Sequence, residues 1–440
     1  MKNKETIDWY VSNFKTFENK LNGESKSFLH SLRKDAIAQL SELDFPTKKN
    51  EEWKYTNIAP ILKHNFVPAL NSEAVKVTME DVEKNIFSGF DCCVMVFANG
   101  IYSSELSTVK AEDGVVIDSL RNVLKTKPEL VEKYIGQSAK IENGFHALNT
   151  AYALDGAVII IPDGKVVENP VQLLFLSGDD SNNTLSLPRN IIIAGKNSQI
   201  NVIENYRGYS DNPYFTNTIT EVYADENAIV NLHKVQNESD SAYHIEKTEV
   251  HQKRNSLFNH YSFSFGGSIV RNDINSTLDD ENVETHYYGL YLAHKDQLVD
   301  NHTFVDHAKP NCMSNEVYKG ILDDNSKGVF NGKIMVRPDA QKTNAFQSNK
   351  TVLLSDTARI DTKPQLEIFA DDVKCSHGAT VGHLDDAAYF YIRSRGIPEE
   401  LAKSMLIRAF ANDVVEVIKI DSLKEQLNHM IFEHLNRVEI

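Results

Sequence analysis

The chain has 440 residues, with 46 Lys and Arg against 62 Asp and Glu and a net charge of −16. A charge of that sign repels nucleic-acid phosphates and anionic membrane surfaces, so neither is an expected ligand. Four cysteines (Cys92, Cys93, Cys312, Cys375) make no disulfide framework in so long a chain, and there is neither an apolar leader nor an apolar run of about 18 residues, so a cytoplasmic protein is expected.

Up to residue 45 the apolar positions Phe28, Leu29, Leu32, Ala36, Ile37 and Leu40 recur at three-to-four spacing, which predicts helix until Pro46 stops it. The polar stretch 48–56 reads as a surface connection pinned by Trp53 and Tyr55. Together these make an N-terminal helical region and connector over 1–85. Short apolar or alternating runs follow at 94–98, 157–161, 171–176, 190–194, 229–233 and 257–265, and they predict strands. Hardly any helical period interrupts this texture, and the strand core is taken as 86–381.

Within it, turn-then-strand phrases recur: Lys196-Asn197-Ser198-Gln199-Ile200, Asp225-Glu226-Asn227-Ala228-Ile229 and Lys253-Arg254-Asn255-Ser256-Leu257. A spacing of roughly 29 residues suggests a solenoid, propeller or β-helix, with weaker echoes near Asn282, Asp296, Asn325 and Asp356. A stacked β-helix wants polar corners and inward apolar side chains; a large β-sandwich is the competing architecture. From 382 to 440 the pattern is helical again. Asp385 is placed to cap a helix over 386–395 that Gly396 ends, Pro398 suits the first position of the next, and Ser422 with Glu425 reads as a capping box for the last. In the middle helix Leu401, Met405 and Ala409 form a stripe beside Ala402, Leu406 and Phe410, a surface able to pack on the core or to dock a partner.

For chemistry, Lys374-Cys375-Ser376-His377-Gly378 stands out, because on a strand Cys375 and His377 lie on one face and can offer sulfur and nitrogen to one soft metal. Cys92 and Cys93, being adjacent, point to opposite faces and read as core. His244 and His251, like His302 and His307, are an odd number of residues apart, so each pair diverges if it lies on one strand. The phrase Gly328-Val329-Phe330-Asn331-Gly332-Lys333-Ile334 is one residue short of an ATP-binding loop and ends in Ile, and no dinucleotide fingerprint or nucleophile elbow occurs. The pairs Asp279-Asp280, Asp323-Asp324 and Asp371-Asp372 diverge on a strand and are solvated in a turn, which gives poor support to acid/base chemistry.

The stretches Gly328 to Ile334, Ala340-Gln341-Lys342-Thr343-Asn344-Ala345, Pro364-Gln365-Leu366-Glu367-Ile368, Lys374 to Thr380 and Arg393-Ser394-Arg395-Gly396-Ile397 resemble the SufB/SufD family of iron–sulfur cluster assembly proteins. Upstream, Glu52-Trp53-Lys54-Tyr55-Thr56, Val96-Phe97-Ala98-Asn99-Gly100 and Ala147-Leu148-Asn149-Thr150-Ala151-Tyr152 resemble its SufD branch. The resemblance implies a mainly β chain: a right-handed parallel β-helix flanked by N-terminal and C-terminal α-helical regions. It also implies a non-catalytic scaffold subunit that partners a SufB-type scaffold and a SufC-type ABC ATPase, with a homodimer when made alone. No tightly bound cofactor is expected, only a transient Fe–S cluster at the interface with the SufB-type partner. His377, with Cys375 as a weaker candidate, would serve that cluster; Arg393, Arg395, Gly396, Ile397, Leu401, Met405 and Phe410 would dock the ATPase. The SufB branch carries a cysteine on the strand before the histidine motif, and Leu366-Glu367-Ile368-Phe369-Ala370 has none. The alternatives are a primary cluster-bearing scaffold of SufB type and a β-helix enzyme acting on an acidic polysaccharide.

Overall fold

The structure, a computed structural model, describes residues 2–21, 27–70, 77–112, 114–178, 183–208 and 210–436. Two parallel ladders run its length. One sheet stacks Ala157–Ile161, Arg189–Ala194, Phe215–Ala224, Tyr243–Gln252, Ile269–Leu278, Leu298–His307, Lys327–Val336 and Arg359–Ile368. The other stacks Cys93–Ala98, Val171–Ser177, Gln199–Gly208, Ile229–Asn237, Leu257–Ser264, Glu284–Ala293, Met313–Leu322, Asn344–Leu353 and Lys374–Gly382. From residue 189 to 382 the chain alternates between the sheets, and each strand pairs in parallel with its counterpart one coil away. That is a parallel β-solenoid, not a sandwich.

The sequence forms this stack for two reasons. Inward positions repeat from coil to coil, as in Ile200, Val230 and Phe258, or Val222 and Val250, and they fill one continuous apolar core. At the corners, Asn197, Asn227, Asn255, Asn282 and Asn311 all adopt positive φ, between 55° and 61°, a region asparagine tolerates better than other non-glycine residues. Asn227 Nδ2 donates to Asn197 Oδ1 at 2.9 Å and Asn255 Nδ2 to Asn227 Oδ1 at 2.9 Å, so the corners form a ladder of their own. The repeated turn-then-strand phrases are these corners.

Helices close both flanks. α1 (Lys2–Asn19) and α2 (Phe28–Leu43) precede α3 (Met79–Asn85), α4 (Leu120–Thr126) and α5 (Gly144–Tyr152). Tyr10, Phe14 and Phe145 from this group, with Phe45 just past α2, share a cluster with Phe215, Ile245 and Ile269, which covers the outer face of the first sheet. α6 (Asp386–Ser394), α7 (Glu399–Val415) and α8 (Asp421–Asn436) follow the last strand. Ile407, Ala411, Val414, Leu427 and Ile431 pack on Val235, Phe263, Leu290 and Ile321 of the second sheet. Among the described residues no helix is long and apolar enough to cross a membrane.

Three details differ from the sequence reading. The region after residue 85 is not free of helix: Ser119 caps α4 and Asn143 caps α5, at 7 and 9 residues both too short to show a period. Pro398 is the N-cap of α7 rather than its first residue, since its ψ of 152° is extended while its carbonyl accepts the first helical bond, from Ala402 N. Ser422 lies inside the first turn of α8, which Ile420 closes by accepting from Lys424 N, so no capping box forms there. Asp385 does cap α6, accepting from Ala387 N and Ala388 N, and Gly396 takes φ +83° just past its end.

Candidate functional site

The last coil of the solenoid has ladder partners on one side only. Arg359–Ile368 and Lys374–Gly382 each end their sheet, and most of Lys374–Gly382 faces solvent. His377 is exposed on this terminal strand, and Cys375 lies two residues before it on the same face. The two differ in surroundings. Cys375 packs against Ile334, Val336, Ala340, Ala345 and Ala370, and burial pushes its thiol up, which disfavours the thiolate a metal needs. His377 is the free-standing donor; beside it, the position of a Cβ on Gly378 meets nothing within 4 Å. Among the described residues, no three His, Cys, Asp or Glu side chains converge to hold a metal.

The register carries this position into the interior. His377 pairs with Gln347, Gln347 with Glu316, Glu316 with Tyr287 and Tyr287 with His260. From His260 to Gln347 this column is buried inside the stack. Thr303 Oγ1 donates to Glu316 Oε2 at 2.5 Å, and Gln347 Nε2 donates to the same oxygen at 3.2 Å. Deeper in the lumen Lys234 pairs with Glu246, and His244 Nδ1 lies 2.7 Å from Glu238 Oε2. Burial pushes His260 down to about 4, so its imidazole is neutral.

Burial also pushes the Glu316 carboxyl up to about 7, against the lowering effect of its bonds from Thr303 and Gln347. In the unfolded chain a glutamate titrates near ~4.3, so between the two values the folded state holds a proton that the unfolded state has released. Stability from this group is therefore lost as pH rises through that window. Relative to Glu316→Gln, the wild type should lose about 2 kcal/mol between about pH 5 and about pH 8 in urea unfolding. A difference that stays constant with pH would show that Glu316 is ionised throughout.

The histidine pairs diverge as their spacing predicts: His244 and His307 point into the lumen columns, His251 and His302 outward. His302 joins a site the sequence reading missed. The strap 46–53 crosses the first sheet over a cavity of about 580 Å³, and Trp53 lies under the Arg271 guanidinium at 3.8 Å. Arg271 donates to Asp273, to Asp300 Oδ2 at 2.9 Å and to the Glu52 carbonyl at 2.7 Å. Burial acts to raise Asp300, but His302 and Arg271 overcome it and hold it at about 2. Trp53 was legible as an anchor; its partner, on a strand more than 200 residues away, was not.

On the C-terminal helices, Leu401 and Met405 are exposed at 47% and 44%, whereas Phe410 is partly buried on the core under Lys319 Nζ at 4.6 Å. The first stripe of α7 thus faces solvent, and the second, Ala402, Leu406 and Phe410, is buried or half-buried, with Phe410 against the strand cluster. Phe390 and Tyr391 on α6, at 73% and 59%, extend the exposed apolar surface; the run Tyr389-Phe390-Tyr391-Ile392, too apolar for a helix this exposed, was the available signal. Arg393 Nη1 donates to the Ile397 carbonyl at 2.7 Å and Arg395 stacks on Tyr391, so Arg393, Arg395, Gly396 and Ile397 shape the α6–α7 corner.

Comparison with known proteins matches residues 4–173 to the SufBD protein N-terminal region and residues 175–410 to the SufBD core domain of SUF-system FeS cluster assembly. The chain is similar to an iron–sulfur cluster assembly SufBD family protein of Synechocystis, 32% identical over 93% of this chain and 92% of that one. It is also similar to the iron–sulfur cluster assembly proteins SufD of Escherichia coli, 29% identical over 91% of each chain, and of Bacillus subtilis, 28% identical over 93% and 94%.

Proposed function

The chain belongs to the SufBD family of iron–sulfur cluster assembly proteins, and from that premise we propose that it is a non-ATPase scaffold subunit of SufD type. In this reading the open end of the solenoid meets a SufB-type scaffold, and the C-terminal helices dock a SufC-type ABC ATPase. The observation that carries it is the terminal coil: an unpaired strand edge that presents an exposed imidazole, His377, at an end that no helix among the described residues covers. Such an edge is a template for a second sheet, and made alone the chain would offer it to another copy.

The nascent cluster is cargo. A neutral imidazole is a borderline ligand for iron, and a cluster meant for transfer needs ligands weaker than a full set of thiolates. His377 supplies one such donor to a cluster shared with the SufB-type partner, and Cys375, packed as it is, contributes shape rather than sulfur. ATP is hydrolysed in the partner, whose nucleotide states favour different shapes of the scaffold. Four free cysteines are in keeping with work in the reducing cytoplasm.

Light scattering on a sizing column tests the docking half. Mixed with its organism's SufC-type ATPase and SufB-type scaffold, the wild type should elute as one defined complex. Met405→Glu, which places a charge in the exposed stripe of α7, should lose the ATPase while the chain stays folded. An unchanged complex would exclude this face as the dock.

A further inference from the structure

The column that ends at His377 holds an acceptor without a donor. Gln347 lies in register between Glu316 and His377, one strand from each. Its Nε2 donates to Glu316 Oε2, and its Oε1 is buried with no hydrogen-bond partner. The direction of the amide is set from below: Thr303 donates to the same oxygen, and above about pH 7, where Glu316 is ionised and can only accept, the NH₂ end faces Glu316 and the carbonyl end turns away from it. Gly332, across the lumen, keeps the place open, because a Cβ there would come within 2.2 Å of Gln347 Nε2. A buried acceptor with no donor is unfavourable, and the residue next in register is a histidine with an N–H to give.

We propose that Gln347 is a positioning residue for His377: its Oε1 accepts the ring N–H of the imidazole, which fixes one tautomer and leaves the other ring nitrogen, with its lone pair, facing out of the open end. A neutral imidazole has one donor and one acceptor nitrogen, so the hydrogen bond one makes decides which the other can be. Glu316 acts one step further back by orienting the amide. The inference rests on the reading that His377 serves the cluster, but the tautomer is observable without any cluster.

The test is long-range ¹H–¹⁵N correlation on the full-length chain labelled at histidine, at a pH near ~8.5 where imidazole is neutral. The His377 signals are identified by their loss in His377→Ala. In the wild type the two ring nitrogens should show the separated shifts of one tautomer; in Gln347→Met, which keeps the length and removes the oxygen, they should move toward an average. Gln347→Glu, which keeps an acceptor, should restore the separation. The buried His260 and His307 signals report whether each variant is folded. Averaged shifts in the wild type, or separated shifts that survive Gln347→Met, would overturn the proposal, and the wild-type spectrum decides even if a variant fails to fold. Cluster reconstitution by His377→Ala is a separate readout, so loss of the positioning role and loss of the ligand role are told apart.

Discussion

Replacing His377 by alanine is expected to leave the assembled complex intact and to lower the yield of reconstituted cluster by about tenfold or more, since loss even of an outer-shell partner typically costs 10–100-fold at a metal site. The prediction is clean because of where the residue sits. His377 is exposed on the terminal strand, it belongs to no apolar cluster, and Gly378 beside it opens onto free space. Truncating such an exposed side chain changes stability by about 0.5 kcal/mol, because water entering at the open end replaces the ring N–H as donor to Gln347. A fall in cluster yield could not then be attributed to unfolding. Anaerobic reconstitution followed by absorbance and iron content gives the answer, and an unaffected yield would remove His377 from the chemistry. Cys375→Ala is the companion: it should cost stability through the apolar cluster it fills and leave cluster yield nearly unchanged.

Arg271→Leu is expected to destabilise the fold by about 3–5 kcal/mol. Arg271 is buried and paired with Asp273 and Asp300, and Asp300 is itself fully buried. Removing the guanidinium leaves that carboxylate in a low-dielectric setting with only His302 and Thr56 beside it. It also removes the cation over Trp53 and the bond to the Glu52 carbonyl, which are what hold the strap to the sheet. In a Trp9→Phe background Trp53 is the only indole, since the chain has two tryptophans. Its emission should shift to the red at lower denaturant than the global transition if the strap lifts first. A single coincident transition at the wild-type midpoint would contradict the role given to Arg271.

The repeated corner phrases at 196–200, 225–229 and 253–257 were enough to point to a stacked β architecture, because each contains the asparagine that turns out to sit at positive φ. They could not show which strands pair, and so the column from His260 through Glu316 and Gln347 to His377 was not seen. Placing the repeats above one another would have revealed it, since these residues recur at about one coil length. The exposed donor itself was found from local spacing alone, because strand period puts Cys375 and His377 on one face. Spacing could not separate them: only packing shows one thiol buried among aliphatic side chains and one imidazole left in the open. The strap site was out of reach for a different reason, as Trp53 and Arg271 meet only through tertiary structure. Short helices such as α4 and α5 were hidden by length.

In the proposed role this chain supplies one side of a site shared with a scaffold partner rather than holding a cluster by itself. Anaerobic reconstitution with iron and sulfide, of the chain alone and of the chain with the SufB-type scaffold and SufC-type ATPase, tests it through sulfide-to-iron absorption. The chain alone should show no stable absorption, and the complex should show a His377-dependent increase over the same complex without this subunit. A stoichiometric cluster retained by the chain alone would contradict it and make this protein the primary scaffold.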